Sequence, residues 1–209
     1  MNKKTVLEIL NILISYFNDT RKVALDFSNP FTLLVATVLS AQATDKQVNK
    51  ISPALFAVAD TPEKMASLSE SEIKEYIKSI NLCNTKAKHI LELSKKLVND
   101  FNSVVPDNMK DLTSLAGVGR KTANIILSVV YHKNAIAVDT HVFRICRRIG
   151  FSKNAKTPTE TELQLYKIIP EKYQQEINHC LVLLGREICK AQKPQCENCP
   201  IKHLCEKNK

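Results

Sequence analysis

Four cysteines near the C-terminus follow the spacing Cys189-x6-Cys196-x2-Cys199-x5-Cys205. Thiols this dense, in a chain with no apolar export signal, predict a metal or iron–sulfur site rather than a disulfide framework. Four thiolates complete the ligand set of either a [4Fe–4S] cluster or a structural zinc, and the spacing alone leaves both open. A second constellation is Leu115-Ala116-Gly117-Val118-Gly119-Arg120-Lys121, which places two of the chain's four glycines two residues apart. In a chain that avoids glycine, such a pair marks a backbone turn that needs it. The apolar segment 122–130 that follows reads as a helix, and Leu112 and Leu115 suggest a short one before it. A glycine hairpin opening a helix exposes N–H groups with no intrahelical acceptor. Together with the helix dipole they suit a phosphate oxygen. The plainer alternative is a turn joining two packed helices.

Lys121 sits two residues beyond the second glycine. The helix N-terminus and the adjacent Arg120 both disfavour an ammonium there, so the amine is a candidate nucleophile. A lysine that pairs with a phosphate fits the same position. Asp139 follows the apolar stretch Ala135-Ile136-Ala137-Val138 and precedes a helical pattern at Val142, Phe143, Ile145 and Ile149. Aspartate before a helix is usually an N-cap. A carboxylate countering positive charge that develops on a sugar is the functional reading, and the two roles are compatible.

The elements that must carry these residues are helical. Val6, Leu7, Leu10, Leu13, Ile14 and Phe17 share one face of a first helix, and residues 31–39 are apolar nearly all round, as a central helix would be. Thr61-Pro62 supplies a cap and a first-turn proline, and Ser69-x-x-Glu72 is a capping box. A longer helix is predicted over 86–101. Thr157-Pro158-Thr159-Glu160 is a second capping box, and a last helix should run from about Tyr173 to Ile188. No low-complexity linker or fixed repeat interrupts the pattern.

The 209 residues, 44% apolar and 24% charged, are enough for a sizeable core in one large domain or two small ones. The formal charge is +9, and four thiolates around a [4Fe–4S]2+ core would leave it near about +7. Between Leu115 and Gly150 stand six basic residues (Arg120, Lys121, Lys133, Arg144, Arg147, Arg148) against Asp139 alone. That excess predicts a polyanionic partner, nucleic acid before others. No apolar run is long enough to span a bilayer. A cytosolic protein is expected, with Cys83, Cys146 and Cys180 as buried, reduced thiols.

The hairpin through Thr122-Ala123, then Val138-Asp139-Thr140-His141, then the cysteine spacing resemble the endonuclease III family of DNA glycosylases. The likeness continues upstream in Leu39-Ser40-Ala41-Gln42-Ala43-Thr44-Asp45 and Leu82-Cys83-Asn84-Thr85-Lys86-Ala87. It implies an all-α, two-lobed helix–hairpin–helix fold with a C-terminal iron–sulfur loop over 189–205 and the DNA cleft between the lobes. One lobe would comprise 23–133, the other 1–22 with 134–209. The implied activity is base excision repair: removal of damaged pyrimidines from duplex DNA, with strand cleavage at the abasic site by β-elimination. The resemblance makes Lys121 the nucleophile, Asp139 the essential carboxylate, and Cys189, Cys196, Cys199 and Cys205 the ligands of a [4Fe–4S] cluster. It makes Gln42 the residue that fills the gap left by an extruded nucleotide, and Leu82 a wedge beside the opposite strand. Gly117, Val118, Gly119, Arg120, His141, Lys190 and Lys193 complete the expected DNA contacts.

The implied partner is double-stranded DNA with damaged bases or abasic sites. The protein is expected to be a monomer, independent of membranes, in the cytoplasm and on the nucleoid. Other readings are an adenine-mispair glycosylase of the same superfamily, which Lys121 argues against, and a DNA-binding module with a four-cysteine zinc site. The chain departs from the family where Ala116 stands for a proline and where Asn81 and Cys83 flank the wedge leucine. Asparagine tolerates a left-handed backbone, so Asn81 is expected to preserve the loop.

Overall fold

Every regular element formed by the described residues is helical. The computed structural model describes residues 1–17 and 24–208, so the lobe boundary expected at 22/23 lies outside them. The helices are α1 (Lys3–Tyr16), α2 (Pro30–Leu39), α3 (Asp45–Val58), α4 (Pro62–Ala66), α5 (Glu70–Ile77), α6 (Cys83–Phe101), α7 (Met109–Thr113), α8 (Arg120–Val129), α9 (Thr140–Ile149), α10 (Pro158–Ile168) and α11 (Glu171–Glu187). Three short 3-10 turns follow in the cysteine segment, beginning at Cys196, Lys202 and Glu206.

Contacts divide the chain into two units, Val23–Tyr131 and Met1–Lys22 with His132–Lys209. In the first, α2 is the central helix that its composition predicts, with every residue from Phe31 to Leu39 buried. It packs against α3, α6 and α8, while α4 and α5 pack on α6. Asn29 closes α2 with a reciprocal box: its Oδ1 accepts from the Thr32 amide at 2.9 Å, and Thr32 Oγ1 accepts from the Asn29 amide at 3.0 Å. The Ser69–Glu72 box forms as expected. In the second unit α11 packs on α1 and α9, and α9 on α10. Val6, Ile9, Leu10 and Leu13 interlock there with Val142, Ile145, Ile149, Ile177, Leu181 and Leu184.

Two local expectations change. Thr157 caps α10 through the Glu160 amide, but the Glu160 carboxylate accepts from the Lys156 amide at 2.8 Å, so the reciprocal half skips Thr157. Cys146 and Cys180 are buried, whereas Cys83 is only half-buried because it opens α6 at the surface. No helix among the described residues is long and apolar enough to cross a membrane.

Candidate active site and cysteine loop

The hairpin is built as its glycines demand. Gly117 has φ +75°, and a Cβ there would meet His89 Nδ1 at 3.0 Å and Val38 Cγ1 at 3.2 Å. It is therefore glycine for two reasons, its left-handed backbone and its close seat on α2 and α6. Val118 is buried, 6% exposed, and its amide donates to Leu115 O at 3.2 Å within the turn. Its N–H is thus engaged inside the hairpin. Gly119 differs from Gly117: its φ is −92° and nothing stands within 4 Å of a Cβ built on it. Conformation does not require glycine at 119; the absent side chain leaves open space beside the start of α8.

That helix begins without a side-chain cap. A helix start with no side chain capping it is the end of a helix that suits an oxyanion. Arg120 and Lys121 are exposed on this turn. The apolar residues Ala123, Ile126 and Leu127 face inward and fix the helix from the opposite side.

Gln42 and Leu82 stand in the same unit on two strained segments. Both have left-handed backbones, with φ +54° and +61°. Such conformations are costly for residues other than glycine, and where they persist they cluster at functional sites. The left-handed position is Leu82 itself and not Asn81, which corrects the expected role of the asparagine. Leu82 is 56% exposed and so is not part of the core. Gln42 is exposed as well.

In the other unit Asp139 is the N-cap of α9, its Oδ1 accepting from the Val142 amide at 2.8 Å. The cap holds one carboxylate oxygen and fixes the side chain's direction. His141 is half-buried, with its Nδ1 3.2 Å from Arg144 Nη2. A Cβ on Gly185 would stand 2.8 Å from His141 Cβ, so glycine there lets α11 approach α9.

The basic run on α9 does less for a partner than its charge suggests. Arg144 donates to Cys189 O and Gly185 O, both at 3.0 Å. Arg148 donates to Lys190 O at 2.7 Å and Ala191 O at 3.0 Å, and to Cys189 Sγ at 3.4 Å. The sequence marks these arginines only as positive charge. The structure makes them a clamp on the cysteine loop, and only their spacing one helical turn apart hinted at joint use. Lys190 and Lys193 lie exposed on that loop, Lys193 with φ +47°.

Cys189, Cys196, Cys199 and Cys205 line one small cavity, together with Arg148, Ile149, Leu184 and Ile188. Among the described residues no three His, Cys, Asp or Glu side chains gather tightly enough to hold a single metal ion. Four thiols spread around a shared cavity suit a multi-iron core better than one tetrahedral zinc. Burial pushes the Cys199 thiol up, and the neighbouring Cys189, Cys205 and Cys196 add to the shift. Thiolates that repel in this way need a cationic core to bring them together.

Residues 35–171 match the family model for HhH-GPD superfamily base excision DNA repair proteins. Residues 189–205 match the iron-sulfur binding domain of endonuclease III. Endonuclease III of Rickettsia conorii is 48% identical over 202 residues, covering 95% of this chain and 96% of that protein. Endonuclease III of Escherichia coli K12 is 44% identical over 206 residues, covering 99% and 97%. Among solved structures, a trapped endonuclease III–DNA covalent intermediate matches with a TM-score of 0.93 and 40% identity over 100% of this chain and 97% of that one. A thermostable thymine-DNA glycosylase matches at 0.87 and 27%, covering 98% and 97%. The iron–sulfur match overturns the zinc alternative. On its fold, its cysteine loop and its full-length relatives, the chain belongs to the endonuclease III family of iron–sulfur base excision repair DNA glycosylases with abasic-site lyase activity.

Proposed function

We propose that this protein removes oxidised or otherwise damaged pyrimidines from duplex DNA, with Lys121 as nucleophile and Asp139 as the carboxylate that stabilises the cationic sugar. The observation that carries the reading is Lys121 itself, an exposed amine on the first turn of an uncapped helix opened by a glycine hairpin. Phosphate held by the hairpin amides and Arg120 would bring the sugar to the amine. A damaged base leaves its stack more cheaply than an intact one, which is one source of selectivity. Gln42 fills the vacated space and Leu82 presses on the opposite strand.

The amine lone pair attacks C1′, and the bond from C1′ to the base breaks. The base leaves with the electron pair and takes a proton. The Asp139 carboxylate offsets the positive charge on the sugar. One amine proton passes to the ring oxygen as the C1′–O4′ bond breaks, which leaves a protonated Schiff base between Nζ and C1′. Its positive charge acidifies the C2′ proton, whose removal expels the 3′ phosphate and cuts the strand. Cys189, Cys196, Cys199 and Cys205 would hold the [4Fe–4S] cluster. When bound, the cluster supplies the positive core that ties the loop bearing Lys190 and Lys193 into a fixed shape.

Borohydride reduction tests the assignment. Wild-type protein with an oxidised-pyrimidine duplex should form a covalent DNA adduct, and Lys121→Gln should form none. An adduct that persists in Lys121→Gln, or is absent with wild type, refutes the lysine.

A further inference from the structure

Lys86 is the one buried basic side chain among the described residues, 3% exposed. Its ammonium donates to Leu39 O at 2.8 Å and Ala41 O at 2.6 Å. Burying a charge is costly unless it is bonded, and here the partners are carbonyls alone. Burial accordingly lowers the Lys86 pKa. A methionine of similar length would fill the same space but leave both carbonyls without a donor, so packing alone does not explain the choice.

The position of the two carbonyls does. Leu39 ends α2, whose C-terminus is the negative end of its dipole, and Ala41 directly precedes Gln42. The backbone amide of the same lysine donates to Leu82 O at 2.9 Å. That bond is the first i→i−4 bond of α6, made by any residue with an amide there; the lysine side chain adds a tie from the helix that starts after Leu82 to the segment that presents Gln42. A second tie runs in parallel, since Gln47 Nε2 donates to Ser79 O at 2.5 Å. One turn beyond Lys86, His89 supports Gly117 of the hairpin.

We propose that Lys86 is a positioning residue that holds Gln42 and Leu82 in fixed register, so that both side chains enter the duplex in one step. The inference rests on the roles given to Gln42 and Leu82 above. Aimed together, the two side chains occupy the space of the departing nucleotide before it can return. Uncoupled, each enters without the other and the nucleotide restacks. Lys86 acts on extrusion and not on chemistry, so its loss weighs most on substrates whose base must be pulled from the stack.

The test compares wild type, Lys86→Met, Lys86→Gln, Gln42→Ala, Leu82→Ala, the Gln42→Ala/Leu82→Ala double variant and that double variant with Lys86→Met added, each checked for melting temperature and for cluster absorbance. Single-turnover base removal should fall about 10-fold to 100-fold in Lys86→Met, as expected for losing hydrogen bonds to a charged group. Borohydride trapping at a preformed abasic site should fall by less than about 3-fold, because no base has to leave the stack. In the Gln42→Ala, Leu82→Ala background, adding Lys86→Met should cost nothing further.

Equal losses on both substrates, or penalties that multiply in the triple variant, overturn the proposal. So does failure of both Lys86→Met and Lys86→Gln to fold, since the bonds would then hold the unit together rather than aim two side chains. Full activity of Gln42→Ala and Leu82→Ala would instead overturn the roles assigned to those residues. Their loss of activity with an unaffected Lys86→Met would leave those roles standing and reject Lys86 alone.

Discussion

Asp139 carries two duties that substitution can separate. Its Oδ1 caps α9 through the Val142 amide at 2.8 Å, and its charge is assigned to the cationic sugar. Asparagine caps a helix about as well as aspartate, while alanine cannot, at a cost of about 1 kcal/mol. For a chain of this size that cost lowers the melting temperature by about 2–4 °C. Asp139→Asn should therefore melt within about 1 °C of wild type. Asp139→Ala should melt lower. In activity the two should match: each loses the charge, and removing one electrostatic stabiliser costs about 100-fold to 1000-fold in kcat. Calorimetry on both variants and single-turnover base removal read the two effects independently. An Asp139→Asn enzyme with wild-type turnover would refute the need for charge. An Asp139→Ala protein with unchanged melting temperature would show that the hydrogen bond contributes nothing as a cap.

The hairpin glycines should respond oppositely. Gly117→Ala forces a left-handed alanine against His89 and Val38, which should cost at least about 1–2 kcal/mol by denaturant titration. Gly119→Ser adds a helix cap in open space and should stabilise by a few tenths of a kcal/mol, roughly. It should nonetheless weaken DNA binding, and equal affinity would reject the phosphate seat. Lys190→Ala and Lys193→Ala should each lower the slope of log K against log salt by about 1; an unchanged slope removes that lysine from the interface. Burial pushes Cys180 up to about 11 and raises Cys146 further. Both therefore stay protonated thiols at pH 8, and of the three cysteines outside the loop only half-buried Cys83 should react with an alkylating agent. Native-state labelling of Cys146 at a comparable rate would contradict the packing.

The helices and their ends were legible because periodicity and capping are local. The Ser69–Glu72 box, the Thr61 and Thr157 caps and the cap role of Asp139 depend on residues within one turn of each other. The cysteine spacing and the glycine pair were equally legible, since ligand sets and tight turns restrict residue types directly. Contacts distant in sequence were not. Lys86 bonds carbonyls 45 and 47 positions away; periodicity puts it on the apolar face of α6 with Ile90, Leu93 and Leu97 but does not say what its ammonium meets there. Arg144 and Arg148 read as free charge until α11 and the cysteine loop supplied carbonyls to both. The left-handed turn fell on Leu82 and not on the more tolerant Asn81, a placement that intrinsic backbone preference does not foretell. Sequence alone thus determined which chemistry the chain can perform, through residue types at fixed short spacing. Tertiary structure decided which charges remain available for it, because a charge is consumed or free according to the carbonyls that folding brings beside it.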